Sequence, residues 1–249
     1  MSLAIEVFVK CYKAIRGGNL IHRESRRDKE YHFQDWFKAR LEELGENFDE
    51  PARNSYPDFK MVAHTIGFET KGLQYPGRVI TFDCNSQVPT GFHNGREIIY
   101  VFGRYPSDPQ NPNQYPVLDL IFCHGDFLNA DHDYIHKNKS IKGFGSYGDI
   151  MIRDRKMYVA PTPFALTEGT EAQITLIVPD NFTLTHDVVK VGDLTRIETR
   201  EFIVGYEFDL TTNELTAKTT PNPSAGKVHK FVACRVKNEP GTPVSMSSH

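Results

Sequence analysis

The spacing of apolar residues changes along this 249-residue chain from helical to strand-like. Residues 3–16 and 30–44 carry apolar side chains three or four positions apart, which predicts two amphipathic helices. Beyond residue 58 the apolar runs are short, and Pro, Gly, Asp and Asn separate them, which predicts strands. The segment VLDLIFC at 117–123 is apolar at nearly every position, so we expect a central, fully buried strand there.

The order of these segments predicts an α/β fold with one continuous core. We expect a single domain in which residues 1–148 form an α/β core and residues 149–238 a β-rich extension for specificity or dimerisation. Residues 239–249 are expected to form a loose tail. Hydrophobic residues make up 39% of the chain and charged residues 24%, a balance that excludes disordered, collagen-like and coiled-coil proteins.

The cysteines and the apolar runs predict a cytoplasmic protein. The four cysteines are scattered with no C-x-x-C spacing, which indicates reduced thiols rather than a disulfide frame or a zinc site. The apolar runs are too short to predict a transmembrane helix, and the first residues are not typical of a signal peptide.

Two basic runs stand out although the net charge is -3. Residues 10–29 hold seven Lys or Arg against two acids, and residues 137–156 hold six against two. Such runs can face a polyanion while the rest of the surface stays acidic, and they are equally typical of two solvated faces.

Two acids and a lysine fall on adjacent predicted strands. Asp58 follows a proline at a strand start, and the next strand carries Glu69 and Lys71. Side chains two positions apart share one face of a strand, so Glu69 and Lys71 point together, and a hairpin would bring Asp58 close to Glu69. Two carboxylates supply oxygen ligands for Mg²⁺, and a lysine can orient a water or offset charge on phosphorus oxygens. The other interpretation is an exposed Glu–Lys ion pair.

The spacing acid-x-Lys occurs at two further places, Asp58–Lys60 and Asp154–Lys156. Only the copy at Glu69 has a Pro-Asp at hairpin distance, apolar flanks and an amphipathic helix upstream. Residues 148–159 indicate a hairpin whose charged tip is Arg153–Lys156, which predicts phosphate contacts rather than catalysis.

Pro57-Asp58 and Glu69-Thr70-Lys71 resemble the motif of the PD-(D/E)XK nuclease superfamily, over roughly residues 30–123. The resemblance implies a restriction endonuclease-like fold, a mixed central sheet flanked by helices with a β-rich C-terminal half. It implies that Asp58 and Glu69 hold Mg²⁺ and that Lys71 assists the attacking water. It also implies a contribution from the preceding helix, for which Glu30 and Gln34 are the candidates.

A chain of this size in that superfamily resembles type II restriction endonucleases. This implies a sequence-specific enzyme of the prokaryotic cytoplasm that hydrolyses double-stranded DNA and leaves 5′-phosphate and 3′-hydroxyl ends. Cutting both strands usually requires two active sites, so we expect a homodimer.

Uncharged polar residues follow the predicted strand at 78–84 and could read base edges, or else close that strand as a turn. The candidate DNA-binding residues are Arg23, Arg26, Arg27, Asn85, Ser86, Gln87, His93, Arg96, Lys139, Lys142, Arg153 and Arg155.

Two other functions stay open. One is a metal-dependent phosphohydrolase that uses a His/Asp cluster, because these residue types ligate metals. Its members would be His124, Asp126, His132, Asp133 and His136. The same segment also fits a polar helix with capping aspartates. The other function is a DNA-binding protein of the same fold that does not cleave.

Overall fold

A computed structural model describes residues 2–23, 29–49, 56–85, 88–130, 146–147, 150–154 and 157–247. The chain is a mixed α/β protein in which strands outweigh helices. None of the helices in these ranges combines the length and the apolar character needed to cross a membrane.

The described helices are α1 (Leu3–Arg16), α2 (Lys29–Glu43), α3 (Gly125–Leu128) and α4 (Pro163–Leu166). The first strands are β1 (Leu20–His22), β2 (Phe48–Asp49), β3 (Phe59–Met61), β4 (Ile66–Tyr75), β5 (Thr81–Asn85), β6 (Phe92–His93), β7 (Arg96–Pro106), β8 (Gln114–Pro116) and β9 (Asp119–His124). The later strands are β10 (Met151–Asp154), β11 (Met157–Pro161), β12 (Thr167–Glu168), β13 (Ile174–Pro179), β14 (Val188–Ile197), β15 (Glu201–Asp209), β16 (Glu214–Pro221), β17 (Val228–Val236) and β18 (Ser245–Met246).

A nine-stranded mixed sheet organises the described chain, in the order β14-β17-β13-β9-β7-β4-β3-β2, with β6 paired to β7. The pairs β4–β7 and β9–β13 are parallel, and the other pairs of this sheet are antiparallel. Strands β13, β14 and β17 come from the C-terminal half of the chain, so the two halves share one sheet.

The long helices α1 and α2 pack on the same face of this sheet, where they form the first core cluster. The ring of Phe37 in α2 lies 5.5 Å from that of Phe59, 5.4 Å from Phe68 and 6.0 Å from Phe122, measured between centroids. The predicted apolar stripe of this helix is therefore confirmed, and it positions α2 over β3, β4 and β9.

Strands cover much of the opposite face of the sheet. There β5 and β11 pair in a separate three-stranded sheet with β10, and their buried side chains join the second core cluster. The ring of Phe82 in β5 packs against Phe102 of β7 at 5.1 Å. The two long helices lie on one side of the central sheet, and the short helices α3 and α4 contribute Phe127, Leu128 and Leu166 to the cluster on the other side.

Most elements predicted from apolar spacing are confirmed, among them both long helices and the buried strand at 119–124. The charged hairpin also forms, since β10 pairs antiparallel with β11, although its tip at 155–156 lies outside the described residues. The cysteines are all free and buried, as expected of reduced thiols.

Two local features connect the larger elements. Helix α3 ends at Leu128, because buried Asn129 has an extended backbone; its side-chain amide donates to the carbonyl of Pro89 at 2.9 Å, and its Oδ1 accepts from the amide of Ser146 at 2.9 Å. Strand β1 follows the first helix, and strand β8 directly precedes β9. These two short strands pair with each other.

The packing of α2 on β7 predicts the effect of one added methyl group. A Cβ on Gly103 would lie 2.1 Å from the buried ring of Phe33. We expect Gly103→Ala to lower the free energy of unfolding by at least about 2 kcal/mol, measured by urea denaturation, because overpacking forces the ring or the strand to move. The control Gly205→Ala meets no atom within 4 Å and should change stability by less than about 0.5 kcal/mol. Equal effects at the two positions would contradict this account.

Candidate functional site

Asp58 and Glu69 face each other where β3 begins. The antiparallel register pairs Phe59 with Phe68, so the next pair outward is Asp58 with Glu69. The amide of Asp58 donates a hydrogen bond of 3.1 Å to Oε2 of Glu69. The structure therefore brings together the two acids that the sequence singled out.

The carboxylate of Asp58 is held in place by the backbone of β4. Its Oδ2 accepts a hydrogen bond of 2.9 Å from the amide of Thr70 and one of 2.7 Å from the Thr70 hydroxyl. Strand β3 starts one residue later, so this carboxylate takes the position at which a strand carbonyl would otherwise accept from β4. Thr70, the middle residue of the Glu-x-Lys motif, is thus a hydrogen-bond donor to Asp58. The alternation of side chains along a strand did not predict this contact.

Lys71 and Glu69 form a close ion pair on the opposite face of β4 from Phe68. The Nζ of Lys71 lies 2.9 Å from Oε1 of Glu69, and the two side chains are 18% and 11% exposed. Burial raises the pKa of Glu69 to about 7; the Lys71 ammonium opposes this rise and the Asp58 carboxylate adds to it. The alternative interpretation, an exposed Glu–Lys ion pair, does not describe this site, because both side chains are largely shielded from water.

Two tyrosines and a cysteine surround this pair. The hydroxyls of Tyr56 and Tyr100 lie 2.8 Å apart, and burial raises the pKa of both phenols, with the charge of Glu69 adding to the effect. Burial also raises the pKa of the Cys84 thiol in β5 to about 12, against the influence of Lys71. These neighbours keep the surroundings neutral and of low polarity, which strengthens the electrostatic interactions of Glu69. Sequence reasoning missed Tyr100 and Cys84 because they come from other strands, β7 and β5.

A gap at Gly67 lets the chain before β3 approach β4. A Cβ built on Gly67 would lie 2.4 Å from Cγ of Pro57 and 3.3 Å from the carbonyl oxygen of Phe59. Pro57 is buried and directly precedes Asp58. The glycine is thus what allows the Pro-Asp segment to sit against the strand that carries Glu69.

The donor set of the site fits the expected Mg²⁺. Among the described residues there is no group of three or more His, Cys, Asp or Glu side chains placed to hold a metal ion. Mg²⁺ keeps several waters, however, and is commonly held by only one or two carboxylates. Asp58 and Glu69 meet that requirement, and a cation beside them would offset the cost of a buried carboxylate next to a second acid.

The expected helix contribution stays a prediction. Gln34 is half-buried on α2, whose aromatic side chains pack on the Phe68 face of β4, whereas Glu69 and Lys71 extend from the other face. The side chain of Glu30 lies outside what the structure describes.

Only some of the predicted DNA-binding residues can be placed. Arg96 donates to the carbonyls of Met61 at 2.7 Å and His64 at 2.9 Å, so it ties β7 to the turn between β3 and β4. The ring of His93 packs on Tyr56 at 4.9 Å, and burial lowers the pKa of His93. The amide of Arg23 bonds the carbonyl of Asn113 at 2.8 Å. The others lie outside the described residues, in whole or in their side chains: Arg26, Arg27, Asn85, Ser86, Gln87, Lys139, Lys142, Arg153 and Arg155.

The first basic run is partly neutralised by the protein's own acids. Lys10 pairs with Glu43 at 3.0 Å, and Arg16 forms an ion pair with Glu239. These two cations therefore join α1 to other parts of the chain, which reduces the positive charge that this run offers to a polyanion.

The described part of the alternative His/Asp cluster has a structural explanation. His124 is buried, its Nδ1 accepts from the amide of Asp126 at 3.2 Å, and its Nε2 lies 3.2 Å from a carboxylate oxygen of Glu97. A metal ion needs the lone pair of a ring nitrogen, so it would have to displace one of these neighbours. His124 and Asp126 line a cavity of about 650 Å³, while His132, Asp133 and His136 lie outside the described residues.

Comparisons with protein-family models, with curated proteins and with solved structures found no significant match. The function of the site is therefore inferred from its own geometry and chemistry.

The raised pKa of Glu69 predicts how stability depends on pH. The folded protein holds this proton up to about pH 7, whereas an unfolded glutamate releases it near its ordinary pKa of 4.5. The group therefore stabilises the fold most at low pH, and this contribution is lost as pH rises through 7. By urea denaturation, we expect Glu69→Gln to reduce the loss of stability between pH 5 and pH 8 by about 2 kcal/mol relative to the wild type.

Glu168→Gln is the matched control, because it makes the same chemical change at an exposed position of β12. If Glu69→Gln and Glu168→Gln change the pH dependence of the free energy of unfolding equally, Glu69 is not the group responsible for that dependence.

Proposed function

We propose that the chain is a Mg²⁺-dependent endonuclease that hydrolyses phosphodiester bonds of double-stranded DNA, with Asp58, Glu69 and Lys71 as its active site. The observation that carries the proposal is the convergence of these residues at the start of β3, where Glu69 contacts both the amide of Asp58 and the ammonium of Lys71. The resemblance to the PD-(D/E)XK superfamily supports the same assignment.

The chemistry of phosphodiester hydrolysis matches what these groups can do. A water oxygen attacks phosphorus while the bond to the 3′-oxygen breaks, which leaves a 3′-hydroxyl and a 5′-phosphate. Mg²⁺ held by Asp58 and Glu69 would polarise a phosphoryl oxygen and make a bound water more acidic. The positive charge of Lys71 can orient the attacking water or offset the negative charge that grows on the phosphoryl oxygens.

The shielding of the Glu69–Lys71 ion pair from water supports a catalytic role for it rather than a purely structural one. A buried carboxylate whose pKa is raised to about 7 is costly for the free protein, and structural ion pairs of this kind rarely improve stability. Perturbed acids of this type concentrate at functional sites, where the same low polarity strengthens the hold on a cation or a reacting group. The energetic cost of burying the Glu69 carboxylate is explained if this carboxylate binds a cation or a reacting group.

The proposal extends to a sequence-specific enzyme of the type II restriction class, located in the cytoplasm and acting as a homodimer. Two copies of one active site can cut both strands of a duplex at symmetric positions. A DNA-binding protein without cleavage keeps the same basic runs, and the presence of metal-dependent cleavage separates the two functions.

Cleavage of plasmid and genomic DNA tests the assignment. With Mg²⁺ we expect discrete fragments from the wild type and none after chelation by EDTA. Removing the buried carboxylate in Glu69→Gln, or the ammonium in Lys71→Ala, should lower the cleavage rate by about 100-fold or more. The control is Lys190→Ala, which breaks an exposed ion pair with Asp193 at 2.8 Å on β14 and should leave the rate unchanged.

Three outcomes would overturn the proposal. Cleavage that survives both active-site variants would place the chemistry elsewhere, and loss of cleavage only in His132→Ala would assign it to the His/Asp cluster. If the protein shifts a DNA duplex in a gel-shift assay with Ca²⁺ but never cuts it with Mg²⁺ or Mn²⁺, it is a DNA-binding protein that does not cleave.

A further inference from the structure

The hairpin of β15 and β16 forms a two-stranded sheet of its own within the described chain. The two ends of the hairpin are joined at its base, where the amide of Asn222 donates to the carbonyl of Arg200 at 2.9 Å. Strand β15 lies next to β10, whereas residues 214–219 of β16 are all exposed. A two-stranded ribbon is only marginally stable in water, and an exposed strand edge is a template for pairing with another chain.

The charge of this hairpin excludes a polyanion as its partner. Residues 201–221 carry four acids and a single lysine. A nucleic acid would be repelled by such a surface, because its backbone is negative along its whole length. The hairpin therefore offers an edge for a protein strand rather than an arm for DNA.

We propose that β16 pairs with β16 of a second copy of this chain, antiparallel about a two-fold axis at Thr216, to form a four-stranded sheet across the dimer. With this axis, Glu214 lies opposite Lys218 of the partner subunit, and the symmetric pair forms on the other side. Such an interface uses the same surface of both copies, as a two-fold dimer requires.

The charge pattern of the hairpin selects this register. Within one chain, Glu214 pairs directly with Asp209, and like charges in that position destabilise a sheet. A cation from the second copy relieves that repulsion. Moving the axis by one residue, to Leu215 or Ala217, places Glu214 opposite a threonine, so the opposite-charge pairs are lost.

The apolar face of β16 fits the same arrangement. Leu215 is 65% exposed, a large fraction for a leucine in a strand. With the axis at Thr216, Leu215 lies opposite Ala217 of the partner subunit and diagonal to the partner's Leu215, within reach for an apolar contact. Pairing would thus cover a side chain that the single chain leaves in water.

A charge exchange tests the interface without DNA, so its failure is separate from failure of the nuclease proposal. By analytical ultracentrifugation over a concentration series, we expect a wild-type dimer. Lys218→Glu and Glu214→Lys, each of which creates like-charge pairs across the axis, should raise the dissociation constant at least about tenfold. The double variant restores both pairs and should return within about threefold of the wild type.

The double variant separates dimerisation from local folding. Lys218 also lies 3.2 Å from Glu207 of its own hairpin, and neither Lys218→Glu nor the double variant restores that ion pair. Recovery in the double variant therefore reports the contact between copies. Lys190→Glu, with the same charge change on β14, is the control and should leave the dissociation constant unchanged.

A single cysteine on the proposed axis gives an independent readout. The cysteines of the chain are buried, so Thr216→Cys would add an exposed thiol that meets its own copy at the axis. We expect a covalent dimer from Thr216→Cys with oxidised glutathione and none from Thr195→Cys, an exposed position on β14. A monomeric wild type, single charge variants that dimerise normally, or equal cross-linking of the two cysteine variants would overturn the proposal.

Discussion

The parallel pairing of β4 with β7 is the constraint on which the rest of the structure depends. It runs through ten residue pairs, from Ile66 with Glu97 to Tyr75 with Pro106, without a shift in register. One face of this ladder packs on α1 and α2, and the other packs on strand β5. Because both faces are covered, a slip of one residue would exchange apolar and charged side chains, so the register is strongly determined.

The candidate site exists because β3 is short. Beyond Phe68, the described part of the chain places no strand beside β4 on that side, and the Asp58 carboxylate takes over as the acceptor for the amide of Thr70. Asp58 thereby ends the pairing of β3 with β4, and the same position places it beside Glu69. This arrangement gives the acid two roles, one in the fold and one in the proposed chemistry, and it explains how a pair of carboxylates is held together in a shielded place.

The spacing of apolar residues predicted the local features of the chain. It did not predict the features that depend on residues far apart in the sequence. The stripe on α2 and the common face of Glu69 and Lys71 follow from the periods of a helix and a strand, and both are observed. Strand β16 was missed because its residues are exposed on both faces and show no apolar alternation. The buried ion pair of Arg104 in β7 with Asp119 of β9 also depends on a distant partner, because only the sheet topology brings the two residues together.

The gap at Gly67 has a consequence for how such a site can change over time. The approach of Pro57 to β4, and with it the separation of the two acids, depends on the absence of one methyl group. Any larger side chain at that position would push the Pro-Asp segment outward while leaving Asp58, Glu69 and Lys71 themselves intact. A descendant of this chain could therefore lose the proposed chemistry by a substitution at a residue that carries no functional group.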